Sequence, residues 1–464
     1  MAERALPGNA RVHAPWALLP GGWARDVVVA TAAGTITSVT PGVPRGDAED
    51  AGGALVPAMP NVHSHAFQRG VAGRTGHAGA SGEDSFWTWR QAMYTFLERL
   101  DPEGFEAIAT QVYVEMAKAG YGCVAEFHYV HHDAAGQRYA DPAELSKRVL
   151  AAARRIGVPL TLLPVFYAHG DFNGAAPSPA QRRFVMQTDE FARLLETVSP
   201  VARADGAVLG SAPHSLRAVT GDELERVVAA TPAHAPIHIH IAEQTREVEE
   251  CIAWSGRRPV EWLLAQGQVD ARWCLVHATH MVERETRALA ASRAVAGIAA
   301  TTEADLGDGT FPGVAFTGAG GRWGVGSDSN AIVDPFAELR QLEYSQRLFW
   351  RRRNLMHHGS DASVGTAMWL AAATGGAQAC GRNAGTIAAG AAADLVVLDR
   401  DDPALAGHGG DTLLDAAIFG PCRAPVRHTM LGGHWVVRDG RHADEDAVLA
   451  DYRRAIARVA NGGT

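Results

Sequence analysis

From about residue 55 the chain repeats one rhythm: a short apolar run, a polar loop, then a stretch with apolar residues three and four apart. The runs cover residues 54–62, 123–130, 159–167, 207–212, 236–241, 273–278, 294–300 and 323–327. Each has the length of a buried strand. The stretches 101–119, 141–156 and 221–230 between them have helical periodicity. Eight buried strands alternating with helices predict an α/β protein, a (β/α)8 barrel of the TIM type. A doubly wound open sheet is the competing arrangement. It is disfavoured because no glycine-rich phosphate loop follows the first run, and because polar clusters recur at many run ends rather than at one switch point.

The two ends of the chain read differently. Residues 23–29 and 34–39 form short apolar runs among glycine and proline turns, with no helical pattern before residue 56. β character returns after about residue 381: residues 385–399 read as turn, strand, turn, strand, and residues 426–430 and 434–437 as further strands. A last helix is expected near 446–459. The expected organisation is therefore a small β-sandwich domain built from residues 1–56 and 381–464 beside a barrel of residues 57–380. At 464 residues, 47% of them hydrophobic, the chain can bury a large core. A net charge of -9 with no basic block argues against nucleic acid. No signal-peptide pattern and no membrane-length apolar run are visible, and the five scattered cysteines include no CxxC pair. A cytoplasmic protein with reduced thiols and no membrane partner is expected.

Catalytic groups of such barrels lie at the C-terminal ends of the strands. The first run ends in His63-Ser-His65, the fifth in His238-Ile-His240-Ile-Ala-Glu243, the sixth in His277, and the eighth in Ser327-Asp328-Ser329. In a strand, alternate side chains share a face, so His63 and His65 point the same way. One such pair among twenty histidines is weak evidence. Repeated at four strand ends, the pattern predicts three imidazoles and a carboxylate around one zinc or iron, with room for a water. His238 and His240 also share a face, and alternation does not choose between them. His240 lies nearer the strand's C-terminal end and places Glu243 just beyond, so it is the expected ligand and His238 a packed histidine. His131, His132, His280, His357 and His358 are expected to be structural or solvated.

All but two of the 42 basic residues are arginine. Binuclear barrel hydrolases bridge their metals with a carboxylated lysine from a middle strand. Here Lys118 and Lys147 both fall in predicted helices. A mononuclear site is expected.

Taken together, Pro60-Asn-Val-His63-Ser-His65, His240-Ile-Ala-Glu243, His277, Ser327-Asp328 and the glycine- and alanine-rich tail from Gly385 resemble the mononuclear deaminase branch of the amidohydrolase superfamily. More narrowly, His63 to Arg69, Phe86-Trp-Thr-Trp-Arg90, Ala125 to Asp133, Pro213-His-Ser-Leu-Arg217 and Thr301 to Gly309 resemble the formimidoylglutamate deiminases of histidine degradation. Ala300 and Asp305 stand where that family has proline and asparagine, and Asn330 where histidine is usual. None of the three is an expected ligand, so these departures bear on loop geometry.

The resemblance implies hydrolysis of N-formimino-L-glutamate to N-formyl-L-glutamate and ammonia. One divalent metal would be held by His63, His65, His240 and Asp328, Zn2+ first and Fe2+ as the alternative, and would supply hydroxide at neutral pH. Asp328 would take the water's proton, Glu243 would protonate the leaving nitrogen, and His277 would orient the hydroxide and stabilise the tetrahedral intermediate. The small-molecule substrate carries two carboxylates, which arginine's fork binds well. Arg217, after the fourth run, is the first candidate for that task and Arg90 the second, with Gln68, Tyr129 and His214 completing the pocket. The stretch from Phe86 to Trp89 reads as a packed amphipathic helix that can double as a lid. A homodimer completes the expectation. Two other readings stand beside it: a deaminase of a guanine-like or other cyclic amidine on the same scaffold, and a catalytically silent barrel. The complete ligand set with Glu243 argues against the second.

Overall fold

The computed structural model describes residues 9–76, 85–357 and 363–461. His358 lies outside the described residues. Eight parallel strand positions form the barrel: Met59–Ser64, Tyr121–His128, Leu160–Phe166, the split fourth position Val208–Leu209 and Ala212–Pro213, then Ile237–Ile241, Trp273–His277, Val295–Ile298 and Arg322–Val325. Two half-barrels join through parallel bridges. Ser211 meets Ile237 and Ser215 meets His240 on one side, and Ser64 meets Asp328 on the other. That closure excludes the open doubly wound sheet. The strands are buried throughout except at Arg322 and the half-buried fourth position, which is why they read as apolar runs without alternation.

Local chemistry sets the helix limits. The Asp101 carboxylate accepts the Gly104 N–H at 2.6 Å and Pro102 opens the helix Pro102–Ala119, while Gly120 at φ 94° ends it in the left-handed region. The next strand then starts at once, at Tyr121.

Head and tail form one nine-stranded sheet. Its path runs Arg441–His442, His434–Arg438, Val426–Leu431, Leu395–Leu398, Ala54–Pro57, Ala10–Leu19, Gly22–Ala32 and Thr35–Thr40, with Glu49–Asp50 beside Ala10–Leu19. The sheet curls back on itself. Ile36 N–H donates to Ala391 O at 2.8 Å and Ala393 N–H to Gly34 O at 2.9 Å, enclosing Val12, Val27, Val29, Ile36, Leu55, Leu395 and Val397. The closing helix is Glu445–Asn461.

Two expectations need correction, and one strand has no mark in the sequence. The run 54–62 is two strands: Ala54–Pro57 pairs antiparallel with Leu395–Leu398, and after Ala58 the chain enters the barrel as Met59–Ser64. Both halves are buried, so composition does not mark the crossing. Residues 385–399 hold one strand, Leu395–Leu398. The preceding segment turns at Gly385 and Gly390, both at positive φ, and meets the sheet through the bridge Thr35–Ala392 and the backbone hydrogen bonds around it, without forming a second strand. The ten-residue strand Ala10–Leu19 carries no clear alternation, so the residue pattern does not mark it.

His131 and His238 are buried structural histidines. Their Nε2 atoms lie 2.9 Å from Val165 O and 2.8 Å from Ala379 O. Burial holds both rings down at about 3, against the carbonyls that favour a proton. Between pH 3 and 6.5 the unfolded chain binds protons that these folded rings refuse. Stability from them is present above pH 6.5 and is lost as pH falls toward 3, on the order of a few kcal/mol per ring at the limit. Circular-dichroism melts should show the unfolding midpoint falling steadily from pH 7 to pH 4.5. The slope should flatten when both histidines are replaced by glutamine; an unmoved midpoint would contradict this account.

Candidate metal centre and active site

The end of the first barrel strand and the turn after the eighth are laced together. Asp328 N–H donates to His63 O and His65 N–H to Asp328 O, both at 3.0 Å. So close an approach leaves no room for a side chain at Gly326, where a Cβ would lie 2.8 Å from His63 O. A buried polar clasp holds the junction. Asn61 Oδ1 accepts the Ser327 N–H at 3.1 Å, Ser327 Oγ donates to Asn330 Oδ1 at 2.6 Å, and Asn330 Nδ2 donates to His65 O at 3.0 Å and Ser64 Oγ at 3.2 Å. Asn330, one of the departures from the family pattern, therefore shapes the loop beneath the ligands.

His63, His65, His240 and Asp328 form a buried group able to hold a metal ion, with ligand atoms all within 4.8 Å of one another. His65 Nδ1 lies 2.9 Å from Phe127 O, and His240 Nδ1 lies 3.0 Å from His214 O. A carbonyl only accepts, so both Nδ1 atoms carry the proton and both Nε2 atoms present lone pairs. Those lone pairs face His63 Nε2 at 3.1 and 3.0 Å. Asp328 Oδ1 stands 3.4 Å from the Nε2 of His63 and of His65. Burial lowers all three rings, His65 to about 3, so they stay neutral. Three nitrogen donors and a carboxylate without a cation repel one another, and a divalent metal satisfies the set. His238 is turned away to Ala379 O. Lys118 pairs with Glu445 and Lys147 with Asp141, so neither joins the ligand group.

The other groups arrive on sharp turns. Ala242 before Glu243, His277 itself and Asp328 have φ of 50°, 68° and 44°, left-handed values that side chains adopt at a cost. His277 Nε2 faces Glu243 Oε1 at 3.7 Å and Asp328 Oδ2 at 3.8 Å. On its far side, Nδ1 lies 3.3 Å from Glu303 Oε1. Burial alone would lower this imidazole, but Glu243, Glu303 and Asp328 raise it to about 10. Burial raises the Glu243 carboxyl, against the pull of His277 and Arg217. For Asp328 burial works upward, yet the His63 contact and the surrounding imidazoles hold it below the usual carboxylate range. A group kept as a base thus stands beside one drawn toward its acid form.

All five expected substrate contacts line the same cavity as this group. Gln68 Nε2 donates to the Tyr129 hydroxyl at 2.9 Å, leaving its own Oε1 unpartnered. His214 follows the fourth strand position and packs 4.9 Å, ring to ring, from His240. Arg217 Nη2 lies 3.6 Å from Glu243 Oε2, with its Nε unpartnered. Arg90, on the helix Phe86–Leu97, donates to the hydroxyls of Tyr94 at 2.5 Å and Tyr167 at 3.2 Å. Among the described residues Arg90 has no carboxylate within ion-pair distance. Phe86 and Trp89 of that helix also face the cavity.

The sequence pattern of the Amidohydrolase family matches residues 54–436. The chain belongs to the amidohydrolase family. Ahead of that match, residues 10–53 fit the pattern described as formimidoylglutamate deiminase HutF, N-terminal domain. Formimidoylglutamate deiminase of Pseudomonas aeruginosa is 51% identical over 94% of this chain and 96% of its own length. The crystal structure of an amidohydrolase from Brucella melitensis superposes with a TM-score of 0.92 at 47% identity, covering 97% of this chain and 100% of that one. An adenosine deaminase from Xanthomonas campestris with bound zinc shares the fold alone, with a TM-score of 0.80 at 22% identity over 98% of this chain and 100% of its own.

Sequence reading of this amidohydrolase missed the groups that hold the site from behind. Glu247 accepts the Ala242 and Glu243 N–H groups at 3.1 and 3.0 Å, Glu126 accepts the Ala66 N–H at 2.6 Å, and Glu303 meets His277. Tyr94 and Tyr167 on Arg90 were missed as well. Glu126 and Glu303, each inside a motif already singled out, carried a signal in the sequence.

Metal analysis should find about one equivalent of divalent metal per chain. His240→Asn should lose it, whereas His238→Asn should keep it. Two equivalents, or the reverse pattern, would contradict this ligand set.

Proposed function

We propose that this amidohydrolase hydrolyses N-formimino-L-glutamate to N-formyl-L-glutamate and ammonia. The observation that carries the reading is the pair Arg217 and Arg90 facing the cavity that His65, His240 and Asp328 of the ligand group also line. A substrate with two carboxylates and one amidine matches that arrangement of charge. The 51% identity to the Pseudomonas aeruginosa formimidoylglutamate deiminase supports it. A ring substrate of the guanine type has no use for two guanidinium groups.

His63, His65, His240 and Asp328 would hold a divalent metal, Zn2+ by their nitrogen-rich donor set, which when bound would supply the Lewis acidity that makes a water in the site easier to deprotonate. Asp328, kept ionised against its burial by the imidazoles around it, accepts the proton that this water gives up. Glu243 delivers a proton to the terminal amidine nitrogen as the oxygen adds to the formimino carbon, takes up the proton of the new hydroxyl, and passes it to the same nitrogen as the carbon–nitrogen bond breaks and ammonia leaves; the proton held by Asp328 then returns to Glu243. His277 donates its Nε2–H to the oxygen as the carbon becomes tetrahedral. Arg217, beside Glu243, reads the carboxylate nearer the reacting carbon, and Arg90 reads the second, with Gln68, Tyr129 and His214 closing the pocket around them.

We further propose that residues 57–380 act as the hydrolase barrel and residues 1–56 and 381–464 as one small domain, a division that the sheet shared by head and tail supports. A cytoplasmic homodimer belongs to the same reading. Five buried free cysteines support the compartment, and the exposed ridge Leu348, Phe349 and Trp350 offers apolar surface for a second copy.

The metal-loaded protein should release ammonia from formiminoglutamate, more slowly from formiminoaspartate and not from guanine; the opposite ranking would overturn the assignment. Glu243→Gln should keep its metal yet lose about 10²–10⁴-fold in turnover. Arg217→Met should lower kcat/KM for formiminoglutamate by about tenfold to a few hundredfold, and should cost a neutral formamidine far less. If Arg90→Met alone shows that selective loss, Arg90 is the sole carboxylate reader.

A further inference from the structure

Glu303 has no part in the chemistry above, yet it is buried at 3% exposure behind His277. It belongs to the first turn of the helix Ala300–Leu306, which starts just after the seventh barrel strand. Its Oε1 is shared by two donors, His277 Nδ1 at 3.3 Å and Ala299 N–H at 3.1 Å. Among the described residues, His277 is the only basic group within ion-pair distance of this carboxylate. A buried carboxylate with a single basic partner holds that partner firmly, since losing it leaves a charge unmatched. The ring it holds sits on a residue with φ 68°, which the local backbone does not favour by itself. With Nδ1 anchored on one side, Nε2 points to the gap between Glu243 and Asp328.

We propose that Glu303 is a positioning residue, which grips His277 Nδ1–H and so turns the Nε2–H toward the oxygen that adds to the substrate. The inference rests on the role proposed for His277. The plain alternative is that Glu303 only caps its helix through Ala299. Glu303→Gln separates the two, because a neutral amide oxygen still serves as the cap for Ala299 N–H but leaves only a weaker, uncharged hydrogen bond in place of the charge-assisted hold on His277 Nδ1–H.

The test is a cycle of four metal-loaded enzymes: the unaltered protein, Glu303→Gln, His277→Asn and the double variant, each assayed for kcat, KM and bound metal. Glu303→Gln should lower kcat roughly tenfold to a hundredfold, with KM and metal content unchanged. In the His277→Asn background the same change should make no difference, because nothing remains for the carboxylate to position. Normal turnover in Glu303→Gln, an equal loss in both backgrounds, or a loss that tracks missing metal would each overturn the proposal. Normal turnover in His277→Asn would instead remove the role of His277, and the positioning role with it.

Discussion

Two imidazole lone pairs aimed at a third imidazole nitrogen, at hydrogen-bond distance and out of water, are an arrangement that a chain does not adopt for stability. His65 and His240 are denied any other option by the carbonyls of Phe127 and His214, which occupy their Nδ1 protons. The neighbouring structure follows from keeping that arrangement: the first and eighth strands laced through His63, His65 and Asp328, the Gly326 approach, and the Asn61–Ser327–Asn330 clasp below. Once a cation is present, the repulsion becomes the source of its affinity.

Around this centre the protein spends buried carboxyl groups freely. Glu247 holds the backbone that carries Glu243, Glu303 faces His277, and Glu126 holds the turn after His65. Burial pushes the Glu126 carboxyl up to about 8 despite the N–H it accepts. These groups fix the turns at the ends of the first, fifth and sixth strands, the last two strained at Ala242 and His277, where each side chain's direction decides its use.

The barrel and its ligands were legible for one physical reason. A strand buried on both faces admits few polar residues, so histidines and an aspartate at strand ends stand out against the apolar runs. The choice of His240 over His238 came from position along the strand, and the carbonyl of Ala379 explains where the other ring goes. The crossing at Ala58 was not legible, because Ala54–Pro57 and Met59–Ser64 are equally buried although they belong to different sheets. Nor were Glu247, Tyr94 and Tyr167. A glutamate in a first helical turn and tyrosines in amphipathic stretches look the same whether they hold an active site or face water, and only their partners distinguish them.

The strand Ala54–Pro57 has a consequence for how the molecule comes into being. It leads within six residues of Pro57 to His63, and its antiparallel partner is Leu395–Leu398, most of the chain away. Trp369 also reaches back to donate to Pro57 O at 3.0 Å. During synthesis the residues that lead into the first two ligands can pair early with Ala10–Leu19 on one side, but their neighbour on the other side is missing until nearly all the polypeptide has left the ribosome. Contacts of such sequence separation form late and slowly. The metal centre is thus a record of completion: a chain that stops before residue 395 lacks the pairing that seats its first ligand strand, even though every ligand is already in it.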